Sequence, residues 1–380
     1  MPIRIRSLAV GVYRAAIARE VVTSFGTMRD RPALFLRLED AQGCFGFGEV
    51  WCNFPACGAE HRARLLIEDL APLLFALEAD SPAEIFDSLT QRVHVRALQT
   101  GETGPYAQTL AGLDMAVWDL HARAQGSSVR ALLAGEARAS VPTYASGIHI
   151  RDAEVEIGRA RERGYRAFKV KVGFDMEDDC RRLHECAASL GAQERLFCDA
   201  NQAWRRAEAL DFCSRTRGLA IGWLEEPLAA DAPLTEWQEL ARQCEIALAA
   251  GENIAGEGAF GAAIAARHLT YLQPDIAKWG GFTGCWRVAR AAQAAGLTYC
   301  PHFLGGGIGL IASANLLAAA GGDGLLEVDA NPNPLRDAFL SAAPLSPEGA
   351  FRLPEGPGLG IDALPEEIAA HKTLQLSATA

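Results

Sequence analysis

Hydrophobic and polar positions alternate along residues 33–39 and 44–50, with a short Asp-Ala-Gln-Gly stretch at 40–43 between the two runs. Alternation with period two places one face of a strand on a core, and a polar, Gly-containing break between two such runs predicts a hairpin. Residues 2–51 as a whole predict an antiparallel meander. The period then changes, and apolar positions three and four apart predict helices over roughly 59–78, 83–97 and 106–125. In the last of these Ala111, Met115, Val117 and Trp118 form an apolar stripe that Asp114 and Asp119 interrupt. Strands first and helices afterwards predict an α+β unit.

From about Val141 the pattern becomes repetitive. Short apolar runs fall at 141–146, 166–172, 195–200, 220–226, 246–252, 270–276, 297–302 and 324–328, with amphipathic stretches such as 153–163, 176–190 and 206–216 between them. This rhythm predicts a closed (β/α) barrel. An open doubly wound sheet is the competing architecture, but no Gly-x-Gly-x-x-Gly follows the first run. The Pro- and Gly-rich stretch 347–360 leaves the rhythm and is expected to pack back on the N-terminal unit. The expected division is 1–137, 138–345 and 346–380.

Composition narrows the partners. The 380 residues carry a formal net charge of −11, whereas a nucleic-acid binder needs a basic stripe. Hydrophobic content of 49% and charged content of 22% are ordinary for a soluble globular protein. At the N-terminus the apolar stretch is broken by Tyr13 and Arg14, which fits a strand better than a leader. Residues 303–322 are uncharged over about the length of a membrane span. They are packed with Gly and Ala, so a loop and a buried helix are predicted and no membrane partner is expected. The ten cysteines form no Cys-x-x-Cys pair. Reduced, mostly buried thiols in the cytoplasm are expected.

Chemistry gathers at the predicted strand ends, where such a barrel builds its active site. The run 166–173 carries Lys169 and Lys171, two of only four lysines in the chain. Residues i and i+2 share a face, so the two ammonium groups repel unless an anion comes between them. The following strands end in Asp199 and Asn201, in Glu225 and Glu226, in Glu252, in Asp275 and Lys278, in His302, and in Glu327 and Asp329. Asp199 and Glu225 are 26 residues apart and Glu225 and Glu252 are 27 apart, each close to one strand–helix unit. Three carboxylates at one height of a barrel need a neutralising cation. All-oxygen ligands suit Mg²⁺, with Mn²⁺ next, and no Cys/His cluster argues for zinc.

The ordered set Lys-x-Lys at 169–171, Asp-x-Asn at 199–201, Glu-Glu-Pro at 225–227, Gly-Glu-Asn at 251–253, Pro-Asp-x-x-Lys-x-Gly-Gly at 274–281 and the later His302 resembles the enolase superfamily, in its mandelate racemase-like branch. The resemblance covers essentially the whole chain. It implies a (β/α)7β-type TIM barrel with an N-terminal α+β capping domain completed by the C-terminal tail. It implies that Asp199, Glu225 and Glu252 bind Mg²⁺, with Glu226 behind them. Lys171 matches the base on one face of a small carboxylate substrate, with Lys169 beside it near the substrate carboxylate. His302 matches the base on the opposite face, oriented by Asp275, and Glu327 resembles the acid that hydrogen-bonds the substrate. Asn201 and Lys278 join the substrate-binding set. Asp275 also separates this branch from the muconate lactonising and dipeptide epimerase-like one, which has a lysine there.

Such a site removes the proton α to a carboxylate. Bases on both faces allow dehydration of a hydroxy (sugar) acid, which most members with this residue set resemble. They also allow racemisation, epimerisation or cycloisomerisation of a small hydroxy acid or lactone. A barrel that only binds is the distant alternative. The segments 23–28 and 51–55, with Phe25 and Trp51, are expected to cover the site with apolar surface, and Arg29 to be solvated. The glycines of 305–309 either offer backbone N–H groups to an anion or permit a tight turn. Assembly into a homo-oligomer is expected.

Overall fold

Two sheets organise the chain, which the computed structural model describes over residues 2–23, 26–340, 345–346 and 349–380. The first is antiparallel and contains β1 (Ile5–Thr23), β2 (Gly26–Asp40) and β3 (Phe45–Val50). Its alternation works as the sequence implies. Leu8, Val10 and Val12 of β1 and Leu34, Leu36 and Leu38 of β2 are buried in one cluster with the helices that follow.

Those helices are α1 (Gly58–Arg64), α2 (Ala71–Phe75), α3 (Pro82–Thr100), α4 (Thr103–Ala124) and α5 (Val129–Ala134), with a π-helical turn (Leu65–Leu70) joining the first two. Local chemistry sets the ends of α3. Ser81 accepts a hydrogen bond from the Glu84 N–H, Pro82 follows it, and Gly101 closes the helix at φ 71°. Helix α4 lies so close to β3 that a Cβ on Gly46 or Gly48 would come within 2.1 Å of the carbonyl oxygens of Ala116 and Gly112.

The two acids that break the stripe of α4 are tie points. Asp114 accepts from the Thr283 N–H (2.9 Å) and hydroxyl (2.6 Å), and Asp119 accepts from the N–H groups of Phe47 (2.8 Å) and Leu359 (2.7 Å).

The second sheet is mainly parallel. Its strands are β4 (Ser140–His149), β5 (Ala167–Lys171), β6 (Arg195–Asp199), β7 (Ile221–Glu225), β8 (Leu248–Ala250), β9 (Tyr271–Leu272), β10 (Thr298–Tyr299) and β11 (Leu326–Asp329). Between them run α6 (Ala153–Glu162), α7 (Met176–Ala188), α8 (Arg206–Arg215), α9 (Leu234–Gln243), α10 (Glu257–Ala266), α11 (Gly281–Ala294) and α12 (Gly307–Ala320), with α13 (Pro334–Leu340) after β11. Strands β4 to β10 pair in sequence order and β11 pairs with β4, so β10 and β11 are the two ends of the sheet. At the β10/β11 seam the Cys300 thiol donates to the Leu325 carbonyl (3.3 Å) and accepts from the Leu325 N–H (3.4 Å). Outward-facing Phe168 and Val170 pack on the helices, while Tyr144, Phe197 and Trp223 fill the interior, the last two stacked at 3.6 Å.

Beyond the barrel, β12 (Ala350–Arg352) pairs with β4, and β13 (Lys372–Thr379) adds a fourth strand to the first sheet beside β1. The uncharged stretch 303–322 is a loop and the buried α12, and no helix among the described residues is long and apolar enough to cross a membrane.

One expectation fails. Cys213 and Cys244 form a disulfide with Cα atoms 5.7 Å apart, while the other eight thiols are free. The packing of α8 on α9 brings together two residues whose spacing of 31 gave no sign of pairing.

Candidate active site

Strand register decides which side chains meet at the barrel mouth. Lys171 of β5 lies level with Asp199 of β6, and Asp199 with Glu225 of β7. Further round, Asp275 and His302 face each other through an isolated parallel bridge. All five are buried, as are Lys169 and Glu327.

The lysines interleave with the carboxylates. Lys169 Nζ sits 2.6 Å from Glu225 and 2.8 Å from Glu327, with the Tyr144 ring centroid at 5.4 Å. Lys171 Nζ is 3.3 Å from Asp199 and donates to the Asn201 side-chain oxygen. Lys278 Nζ is 2.9 Å from Glu252 and 5.0 Å from the centre of the Trp51 ring. The anion expected between the paired lysines is therefore already supplied by the protein, since the same Asp199 oxygen lies 3.3 Å from Lys171 and 3.8 Å from Lys169.

His302 Nδ1 stands 2.7 Å from Asp275, so the ring donates from Nδ1 and turns Nε2 towards Glu252 (3.4 Å) and Glu327 (3.8 Å). Glu327 also accepts from the Ser146 hydroxyl and, at 3.1 Å, from the Phe303 N–H.

Electrostatics follow from this crowding of buried groups. Burial pushes the Glu225 carboxyl up to about 7 against the pull of Lys169. Burial and Glu252 push Glu226 to about 8. Burial alone would raise Glu252 as well, yet His302, Lys278 and Lys171 hold it well below the usual carboxylate range. Burial disfavours charge on His302, but Glu252, Glu327 and Asp275 raise it to about 10. Glu327, opposed by burial and favoured by Lys169 and His302, falls to about 2.

The remaining predicted residues divide. Glu226 turns away to Gln202 and Asn253, and Trp51 reaches the mouth beside Lys278, its backbone N–H donating to the Ala277 carbonyl at 3.3 Å. Phe25 lies outside the described residues. Arg29 is exposed and pairs with Glu20 at 3.1 Å. Reading only ionisable strand ends missed three contributors. Ser146 lies on the first barrel strand, and Trp223 Nε1 (3.1 Å) and Gln273 Nε2 (2.7 Å) both donate to Glu225. For Trp223 and Gln273 the only available signal was a position two places before a charged residue, and Ser146, two places before Ile148, carried none. The glycines of 305–309 do meet an anion, and it is Glu49 of β3.

Among the described residues no three His, Cys, Asp or Glu side chains are drawn together as a ready metal cage. This differs from the expected convergence of Asp199, Glu225 and Glu252, and lysine ammonium groups lie between the carboxylates instead. The donor set nevertheless fits Mg²⁺. It offers only carboxylate oxygens from adjacent strand ends, each carboxylate retains lone pairs, and the lysines show that the cluster requires positive charge.

Two family models match the chain. Residues 8–134 match the mandelate racemase / muconate lactonizing enzyme N-terminal domain, and residues 152–367 match the enolase C-terminal domain-like family. The D-galactarolactone cycloisomerase of Agrobacterium fabrum is 32% identical over 277 residues, 69% of this chain and 73% of that protein. A mandelate racemase/muconate lactonizing enzyme structure from Bordetella bronchiseptica superposes with a TM-score of 0.88 at 48% identity, covering 96% of this chain and 98% of that one. The L-talarate dehydratase of a Polaromonas species, solved with Mg and L-glucarate, gives a TM-score of 0.82 at 26% identity over 99% of both chains. The chain belongs to the mandelate racemase / muconate lactonizing enzyme family of the enolase superfamily.

Proposed function

We propose that this protein removes the proton α to the carboxylate of a hydroxy acid and expels the β-hydroxyl as water, acting as an acid-sugar dehydratase. The observation that carries the reading is the placement of two nitrogen bases among the carboxylates Asp199 and Glu252. Lys171 and His302 come from different strands, Lys171 lying 3.3 Å from Asp199 and His302 3.4 Å from Glu252, and His302 is backed by Asp275.

Asp199, Glu225 and Glu252 would hold Mg²⁺, which when bound supplies a Lewis acid for the substrate carboxylate. Lys171 takes the α-proton, and the C–H electron pair moves into the carboxylate as an enediolate. Lys169, between Glu225 and Glu327, holds the two carboxylates in place. As the enediolate collapses, the Cβ–O bond breaks and the hydroxyl leaves as water with the proton from His302 Nε2. The resulting enol tautomerises to a 2-keto-3-deoxy acid. Asp275 fixes the tautomer and orientation of His302 throughout.

A second reading, racemisation or cycloisomerisation, rests on the same pair of bases and on the sequence similarity to the A. fabrum cycloisomerase. Screening acid sugars and their lactones with Mg²⁺ for keto-acid formation separates the two. Appearance of a keto acid supports dehydration, whereas α-deuterium incorporation without it sinks that reading in favour of isomerisation. The division at 137/138 and 345/346, a cytoplasmic setting and homo-oligomerisation belong to the same proposal. Exposed Val95 and Leu98 on α3 support assembly.

A further inference from the structure

The two bases differ in what builds them. Lys171 stands on β5, and the backbone after it is held from within the barrel. The N–H groups of Gly173, Phe174 and Asp175 all donate to the Asp179 carboxylate, at 2.8, 2.9 and 3.2 Å. The segment after His302 is held differently. Asn53, from the capping unit, donates to the Leu304 carbonyl at 2.8 Å, and Asn333 donates to the Gly305 carbonyl at 2.9 Å. Then Glu49, at the end of β3, accepts from the Gly306 N–H with one oxygen and from the Gly309 N–H with the other, at 2.8 Å.

Glu49 faces this way because β3 alternates. Gly46, Gly48 and Val50 turn onto α4, while Phe45, Phe47 and Glu49 turn to the other side. Glu49 is 2% exposed. It serves as the missing cap of the 14-residue α12, whose own N-cap residue is a glycine with no side chain to offer. The first N–H groups of a helix have no intrahelical acceptor and carry partial positive charge, so a buried carboxylate there is well placed. Burial nevertheless pushes that carboxyl up to about 7. The glycines make the approach possible. A Cβ on Gly306 would lie 2.7 Å from Phe35 and 3.0 Å from Glu49, and one on Gly309 would lie 2.4 Å from Phe303.

We propose that Glu49 is a positioning residue for His302. Its carboxylate seats the N-terminus of α12 and so fixes residues 302–309, which makes the histidine face of the site dependent on the docked cap while the lysine face is built by the barrel alone. This inference rests on the assignment of Lys171 and His302 to opposite faces of the substrate.

Two variants test it in the full-length protein. Glu49→Gln keeps the shape but points an NH₂ at a backbone donor, and Gly306→Ala presses on the same contact from the other side. Each enantiomer of a hydroxy acid that the unaltered enzyme exchanges in D₂O reports one face. Exchange on the His302 face is expected to fall by about 10- to 100-fold, as kcat with little change in KM, while exchange on the Lys171 face stays within about threefold. Amide hydrogen exchange should accelerate over 303–309 and not over 169–175. Equal loss on both faces overturns the proposal, because a merely structural role would produce it. Unaltered protection over 303–309 overturns it as well. If no acid exchanges even in the unaltered enzyme, the two-base assignment has failed, and the protection measurement alone decides whether Glu49 holds the segment.

Discussion

His302 and Asp275 are joined twice, by a backbone bridge between their strands and by a 2.7 Å contact between Nδ1 and a carboxylate oxygen, with both side chains buried. The pair is therefore preset by the sheet itself. Asp275 also accepts from the N–H groups of Ala277 (2.8 Å) and Lys278 (3.1 Å), so its carboxylate cannot swing away from the ring.

Asp275→Asn should keep the fold and lose the tautomer control. Turnover is expected to drop by about 100- to 10,000-fold, with α-deuterium exchange on the Lys171 face affected least. His302→Asn should remove exchange on its own face entirely. Enantiomer-resolved exchange in D₂O reads both outcomes, and an unchanged Asp275→Asn enzyme would contradict the role given to the pair.

Mg²⁺ should stabilise the native state after chelation. At about 100 times its Kd a ligand adds about 2.7 kcal/mol, which thermal unfolding with and without the ion measures directly. Asp199→Asn, Glu225→Gln and Glu252→Gln should each weaken or remove the shift. A shift that survives all three substitutions would place the ion elsewhere.

Lys169 bridges Glu225 and Glu327 from a fully buried position. Lys169→Met leaves two carboxylates facing each other without a counter-charge, and breaking such a buried pair costs about 3–5 kcal/mol. Urea unfolding of the metal-free protein is the measurement, and a loss below about 1 kcal/mol would mean the cluster relaxes to water.

Asp114 couples α4 to α11, and burial raises its carboxyl from 3.8 to about 7 despite the Thr283 hydrogen bonds. The folded protein thus binds this proton more tightly than the unfolded chain. Its contribution to stability is complete below the unfolded value of 3.8 and is lost as pH rises through about 7. Asp114→Asn should remove up to about 1.4 kcal/mol per pH unit of falling stability within that window. Wild-type and variant unfolding curves with equal slopes between those pH values would refute this.

Of the ten cysteines, eight should react with a thiol reagent in the denatured, unreduced protein and ten after reduction. Ten before reduction would show that Cys213 and Cys244 are thiols in solution.

Much of the architecture was legible because it is written in short-range periodicity. Period-two runs flank the 40–43 turn, and period 3.6 marks α3, α4 and the barrel helices. A single unit length recurs between Asp199, Glu225 and Glu252, which needs only neighbouring strands in register. Strand-end position alone brought Lys171, Asp199, Asp275 and His302 to one mouth. The tertiary structure decided who partners whom. Lys169 reaches Glu225 and Glu327 and shares Asp199 with Lys171, because a lysine side chain is long enough to choose among several carboxylates once the barrel has curled. Ser146, Gln273 and Trp223 entered because uncharged donors gain importance only where burial leaves a carboxylate without water. Glu49 and the glycines of 305–309, and Cys213 and Cys244, are brought together by packing between elements that no local period encodes.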